Sequence, residues 1–596
     1  MSIGLNDSPA PQGVARAFWA SFALASVVFH IGLVFSGLVP NLISRPVHLI
    51  FVLPWVLIWG RQGAALWSGV ALCAVGVAAA AWVALSHDAL ADQYGFLEGE
   101  AQVWIAAALI GVVLEAARRA IGWPLPLVAL TALLYGLFGQ HIPGRFGHSG
   151  TPVESFLGTL TIAEGGLWGT LTAVSVNVVA IFVIFGAVLN AGEAGQGFMN
   201  LASAAAGRLR GGAAKVSVLS SALFGSISGS ASANVASTGA ITLPAMEGLG
   251  YPKRIAAAVE AVASSGGQIM PPLMGAGAFV MVELTGVPYT GIMAAAALPA
   301  LLYFWAVWIG IDGYARRFDL RGLAKEDRPE VRAVLVTSAF FLVPFGVLLW
   351  GMFGLRVTPQ YAACLAIMVS AVLLLTGADL RVDLTRAVAR VETALMAAGR
   401  QVALIGSIIF CASLVIGVLG VTGLGVKITS LILSVSGGML WPSLLLTAFA
   451  CLVLGMEVPT TAAYVICVSV AGPALIELGL EPLQAHLFVF WYALLSTITP
   501  PVCGAVFIAS GMIGENWLRV AITAMALGVG LYLIPLGMVA NPDVIGLATG
   551  IGPAILAALK IGLGLALISW ALVRKKAAPL RGAALALGLG AILWPL

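Results

Sequence analysis

Charge is what this 596-residue chain has least of: Asp, Glu, Lys and Arg make up 9% of it, against 60% hydrophobic residues and a mean hydropathy of +1.04. A soluble domain is about 25% charged, and soluble domains of this total length could not cover their surfaces with so few charges. A soluble enzyme, a disordered scaffold and a nucleic-acid binder are therefore excluded. Cysteine is also scarce. Cys73, Cys364, Cys411, Cys451, Cys467 and Cys503 lie singly in apolar stretches with no CxxC pair, so neither a disulfide nor a metal site is expected. The six histidines (His30, His48, His87, His141, His148 and His486) are scattered and form no HExxH, which argues against an intramembrane metalloenzyme. A GxxxxGK[ST] loop is missing as well, which disfavours an ATP-driven importer.

What is present is a series of apolar runs long enough to cross a bilayer, for which about 20 residues suffice. They cover residues 14–35, 49–59 (short, with room to extend at both ends), 64–85, 103–117, 125–138, 167–189, 216–286, 289–311, 332–350, 358–375, 402–419, 441–478, 483–513, 518–538, 555–573 and 583–593. The first run lacks a clear small-residue cleavage site and reads as a membrane anchor. Net charge is +4, and the basic residues cluster between runs: Arg316, Arg317, Arg321, Lys325, Arg328 and Arg332 in one loop, Arg381, Arg386, Arg390 and Arg400 in another. Lys and Arg favour the cytoplasmic side. With the N-terminus inside, every basic cluster falls inside only if residues 216–248 and 441–478 enter and leave on one side. Both must be hairpins, the first opening to the cytoplasm and the second to the outside.

Both hairpins are interrupted near the middle, the first by Gly225-Ser226-Ile227-Ser228-Gly229-Ser230-Ala231-Ser232-Ala233-Asn234, the second by Gly455-Met456-Glu457-Val458-Pro459-Thr460-Thr461. Each is followed by a helix that breaks at a double proline: Ser264-Ser265-Gly266-Gly267-Gln268-Ile269-Met270-Pro271-Pro272, and Ser496-Thr497-Ile498-Thr499-Pro500-Pro501. One ungapped shift of 229 (500 − 271) superposes the proline pairs and also matches Pro244 with Pro473, Gly250 with Gly479 and Gly275 with Gly504. Proline is rare inside spans, so these matches in one register indicate a repeat, and the charge count makes it an inverted one. The expected fold is an all-α polytopic membrane protein with two re-entrant helical hairpins and two broken helices. Paired breaks of this kind point to a secondary transporter.

A broken helix leaves N–H and C=O groups unpaired at membrane depth, tolerable only where protein or an aqueous cavity satisfies them. Carbonyl and hydroxyl oxygens at a break are hard ligands suited to a small cation such as Na+. Half-helix N-termini suit a carboxylate. The competing reading is close helix packing, for which Gly- and Ser-rich patches are equally suited, and a buried Ser often bonds back to its own helix.

The segments Gly207-Arg208, Gly211-Gly212-Ala213-Ala214-Lys215 and Ser221 to Asn234, with Ala258-Val259-Glu260-Ala261-Val262-Ala263-Ser264-Ser265-Gly266-Gly267-Gln268-Ile269-Met270-Pro271-Pro272-Leu273-Met274-Gly275, resemble the large membrane subunit of tripartite ATP-independent periplasmic (TRAP) transporters. The resemblance is to the type in which small and large membrane subunits are fused, and it is strongest over residues 167–289. It implies a small-subunit-like four-helix domain at residues 1–120, a large-subunit-like transport and scaffold domain at 121–538, and additional transmembrane helices at 539–596. It also implies Na+-coupled import of an organic acid by an elevator-type movement in the bacterial inner membrane. A periplasmic substrate-binding protein, of the TAXI type in fused chains, would deliver the acid, and no cofactor beyond the coupling Na+ is implied. A Na+/dicarboxylate symporter working without a binding protein is the alternative.

The first cation site is assigned to Ser226, Ser228, Gly229, Ser230 and Asn234 at the tip, with Ser264, Ser265, Gly266 and Gly267 at the break. The second comprises Gly455, Thr460 and Thr461 with Ser496, Thr497 and Thr499. Substrate is placed between the tips, at Ser230, Ser232, Asn234, Pro272, Thr461 and Pro501. Glu457 is a coupling-carboxylate candidate. Glu260 is expected to bond neighbouring Ser or backbone groups, Glu283 to be solvated, and His486 to serve a helix interface.

Overall fold

The computed structural model describes residues 13–455, 459–574 and 578–595. Among these residues the secondary structure is helical apart from one isolated bridge, Thr376 with Val382. Among the described residues, ten helices are long and apolar enough to cross a membrane. The chain is a multi-pass, all-α membrane protein. The second apolar run lengthens only on its N-terminal side, to Asn41–Leu57, because Gly60 (φ +68°) ends it.

The Arg-bearing segment at 384–400 directly precedes the apolar run at 402–419. The two are one helix, Leu384–Thr422, of 39 residues, about 58 Å long at 1.5 Å per residue. It forms the seat for the N-terminal helices Gly13–Phe35, Asn41–Leu57, Glu100–Ile121 and Pro124–Phe138. Glycines make the close fit possible: a Cβ on Gly399 would lie 2.6 Å from the Trp55 ring, and one on Gly406 2.8 Å from Val52. A buried hydrogen-bonded chain adds to the joint, from His30 Nε2 to His48 Nδ1 (2.8 Å) and from His48 Nε2 to Ser175 Oγ (3.0 Å).

The repeat is visible in the helix boundaries. In the first copy α1 is Gly212–Ser228, α2 Ala231–Gly248, α3 Lys253–Gly267 and α4 Gly275–Thr285. In the second, α5 is Leu440–Leu454, α6 Thr460–Glu477, α7 Pro482–Leu494 and α8 Gly504–Ile513. Adding 229 to the ends of α2 gives the ends of α6 (231 + 229 = 460; 248 + 229 = 477). The short helices before the hairpins, Ala194–Ala206 and Leu424–Val435, correspond to within one residue (194 + 229 = 423; 206 + 229 = 435). Helices α1 and α2 form the first hairpin and pack on α3; α5 and α6 form the second and pack on α7. Between copies the contacts are reciprocal: α2 meets α8 while α6 meets α4, and α3 meets α8 while α7 meets α4. Such exchange is the signature of a two-fold relation. Both Pro271–Pro272 and Pro500–Pro501 are cis. Of the last helices, Ile551–Val573 packs on the long helix Tyr289–Arg317, Ala578–Leu593 packs on Ile551–Val573 and on Gly530–Ala540, and Lys560 Nζ donates to Asn541 Oδ1 at 2.9 Å where they join the body.

Candidate functional site

The tip of the first hairpin is shaped by backbone contact. Gly229 ends α1 with φ +60°, and Ser230 caps α2 by accepting from the Ala233 N–H (3.3 Å). A Cβ on Gly225 would lie 2.5 Å from the Gly267 Cα, and one on Gly229 2.9 Å from the Gly275 Cα. The tip therefore rests directly on the first break. Asn234 is fully buried, and its amide donates to the Ser221 carbonyl (2.9 Å) and the Ser264 carbonyl (3.4 Å). This side chain is committed to holding the hairpin to the break. Ser226 donates to its own helix at Leu223 O (2.8 Å), and the Ser228 hydroxyl makes a long hydrogen bond to Ser230 O (3.5 Å). Gly266 faces away from the tip: a Cβ there would lie 2.2 Å from the Tyr303 ring.

The two breaks meet. Thr497 Oγ1 donates to Ser265 Oγ at 2.8 Å. Gly455 approaches Ser496, whose oxygen would be 3.3 Å from a Cβ there, and Gly504 approaches Ser232 at 3.4 Å on the same measure. Ser230, Ser232 and Pro501 are exposed, and Thr460, Thr461 and Pro272 half-buried. Thr499 is turned outward from this cluster and pairs with the Tyr532 hydroxyl at 2.6 Å. Glu457 lies outside the described residues. Glu283 is exposed, and His486 Nδ1 pairs with the Tyr464 hydroxyl at 2.7 Å between α6 and α7.

Two features were missed from sequence, and a third was foreseen only in part. Gln268 is the clasp between the copies: with its amide turned so that donors meet acceptors, Nε2 reaches Gly229 O (3.3 Å) and Thr460 Oγ1 (2.9 Å), and Oε1 accepts from Ala231 N–H (2.9 Å). Tyr303 and Tyr532 occupy equivalent positions (303 + 229 = 532) and each bonds a broken segment, Tyr303 at Val262 O (2.7 Å) and Tyr532 at Thr499. The third is a polar knot. Glu260 is fully buried and accepts from Ser217 (2.7 Å), Ser264 (3.3 Å), Ser221 (3.4 Å), Thr238 and Thr242. The signal was available: Ser217/Ser221, Thr238/Thr242 and Glu260/Ser264 are three polar pairs spaced by four, one on each of three consecutive helices, and i, i+4 residues share a face.

The Ser265–Thr497 contact is open to a direct test. In a double-mutant cycle on uptake with Ser265→Ala and Thr497→Val, a coupling of about 0.5–1.5 kcal/mol is expected, the net worth of one buried hydrogen bond. Strict additivity would mean that the breaks do not communicate.

Comparison with known proteins gives a consistent result. Residues 108–551 match the family model described as tripartite ATP-independent periplasmic transporter, DctM component. The C4-dicarboxylate TRAP transporter large permease protein DctM of Pseudomonas aeruginosa is 27% identical over 340 residues, 56% of this chain and 77% of that one. The isethionate TRAP transporter permease protein DctMQ of Oleidesulfovibrio alaskensis is 25% identical over 448 residues, covering 70% of this chain and 68% of that one. The DctM protein of Rhodobacter capsulatus is 24% identical over 395 residues, 62% of this chain and 88% of that one.

Proposed function

Because the chain belongs to the DctM family of tripartite ATP-independent periplasmic transporters, we propose that it imports an organic acid, of the C4-dicarboxylate kind or similar, delivered by a periplasmic substrate-binding protein and driven by a Na+ gradient. The supporting observation is a gathering of helix N-termini around the first tip. Gly229 lies against Gly275 at the start of α4, Ser232 lies beside Gly504 at the start of α8, and Gln268 joins the start of α2 at Ala231 to that of α6 at Thr460. Each N-terminus stabilises a nearby anion by about 0.3–2 kcal/mol. Four together suit a carboxylate where the tips and breaks carry no arginine.

The Na+ ions are assigned to the oxygen-rich breaks. Ser265 and Ser264 belong to the first site; Ser496 and Thr497 belong to the second. The hydrogen bond between Ser265 and Thr497 makes the two sites neighbours, so that filling one alters the other. In the elevator movement the two hairpins with α3 and α7 travel against a scaffold built on Leu384–Thr422 and the N-terminal helices. Those N-terminal helices take the role of the small subunit. The basic loops favour an N-terminus on the cytoplasmic side of the inner membrane, and a fused layout favours a TAXI-type binding protein.

The test is reconstitution. Uptake of a radiolabelled dicarboxylate by proteoliposomes containing the full chain is expected only when its purified periplasmic binding protein is added outside. Equal uptake without that protein would favour the symporter reading instead.

A further inference from the structure

The repeat supplies an internal comparison between two joints, each formed by a hairpin and the short helix that precedes it. In the first copy the joint is closed by protein. Met199, Ala202 and Ala206 on Ala194–Ala206 pack directly against Val216 and Leu219 on α1. Adding 229 carries the three residues of the short helix onto Ile428, Leu431 and Val435. These same three side chains, in the second copy, stand over a cavity of about 260 Å3 whose opposite wall includes Ala450 on α5 and Cys467 and Ala471 on α6. The physical reason is side-chain size. Small residues let helices approach closely, and where the first copy has Ala202 and Ala206 the second has the bulkier Leu431 and Val435.

The cavity wall is wholly apolar and its mouth is open. Around that mouth Val435, Phe449 and Leu445 are exposed at 67%, 65% and 60%, with Val453 beside them. In a membrane-spanning chain this apolar rim faces hydrocarbon. Water has no polar partner here, and an apolar cavity of this kind does not hold it. An empty cleft would forfeit the dispersion contacts of its walls. The rim is continuous with the lipid-facing surface, and that identifies the occupant by chemistry.

We propose that an acyl chain of a bilayer phospholipid occupies the cleft between Leu424–Val435 and the second hairpin, completing with lipid the joint that the first copy completes with protein. The site is independent of the transported substrate.

The full chain would be reconstituted in phosphatidylcholine–phosphatidylglycerol vesicles doped with a phospholipid bearing a diazirine in its acyl chain, irradiated, and mapped by peptide mass spectrometry. Labelling at residues 446–451 and 467–471 is expected to exceed that at Leu559 and Leu563, apolar positions on Ile551–Val573 as exposed as the rim residues Phe449 and Leu445, by about fivefold, as for a site modestly preferred over bulk lipid. Filling the cleft by Ala471→Phe, or more mildly by Ala450→Leu, is expected to return the labelling to the level of the control segment. Equal labelling of cleft and control in the unaltered chain overturns the proposal, and that comparison does not depend on either variant folding. Undiminished labelling in a folded filled variant overturns it equally.

Discussion

Replacing Glu260 with leucine is expected to remove most of the folded protein from membranes, whereas Glu260→Gln is expected to leave most of it in place. The difference follows from what the surrounding hydroxyls do once the carboxylate is gone. Thr238 keeps the Asn234 carbonyl (2.8 Å), Thr242 keeps the Thr238 carbonyl (3.0 Å), and Ser221 keeps Thr238 (3.1 Å). Ser217 and Ser264 have no second partner for their hydroxyls among the bonds observed. Two orphaned buried hydroxyls cost roughly 2–6 kcal/mol, a large part of the stability of a typical protein. Glutamine retains the shape and one acceptor oxygen, and its amide can donate to hydroxyls, which accept as well as donate. The measurement is the amount of monodisperse protein extracted from membranes together with its thermal unfolding midpoint. Equal loss for both variants would mean that the knot depends on charge and not on satisfied hydrogen bonds.

The second copy shows what the knot adds. Ser217 and Ser221 stand 12 and 8 residues before Gly229 (229 − 217; 229 − 221), and Ser443 and Thr447 stand equally far before Gly455 (455 − 443; 455 − 447). The position equivalent to Glu260 is Val489 (260 + 229), and the buried hydroxyls of Ser443 and Thr447 have no partner among the described residues. The first hairpin is thus tied to its neighbour helix by a carboxylate that the second lacks.

Gly225→Val is expected to abolish uptake while the protein still inserts. The added Cβ would sit 2.5 Å from the Gly267 Cα, 2.6 Å from Asn234 Nδ2 and 3.1 Å from the Gly267 carbonyl carbon. Two of those atoms are backbone, so no rotamer change relieves the clash and α1 must move off α3. That movement pulls Asn234 from the Ser264 carbonyl and lifts the tip from the break. Overpacking of this kind costs about 1–3 kcal/mol, enough to shift the tip without unfolding the chain. Gly248→Ala serves as control, since a Cβ there meets nothing within 4 Å. Wild-type uptake by the Gly225 variant would separate the tip from transport.

Much of this architecture is legible in the residues. The proline pairs and the charge count place both hairpins, because proline inside a span and arginine beside one have few alternative explanations. The contact between tip and break is foreshadowed by Gly225, Gly229, Gly267 and Gly275, which a packing statistic alone would not distinguish from the glycines of the C-terminal tail. The Glu260 knot was half visible: the carboxylate stood out, but its five donors lie on three helices, and only the fold brings them together. Gln268 was passed over because an amide at a break looks like any polar residue until its partners on the other copy are known. The cleft beneath Leu424–Val435 has no sequence signature, since it depends on how far Leu431 and Val435 hold one helix from another.

The most direct test is accumulation against a gradient. Proteoliposomes containing the chain, supplied with binding protein and a labelled dicarboxylate, would be given an inward Na+ gradient, an inward proton gradient, or neither, with membrane potential clamped. Accumulation above equilibrium is expected with the Na+ gradient alone, weakened in the Ser265→Ala/Thr497→Val variant at low Na+ and restored as Na+ is raised. Accumulation that ignores Na+ and follows the proton gradient, or downhill flux with no gradient at all, would contradict a Na+-coupled site at the two breaks.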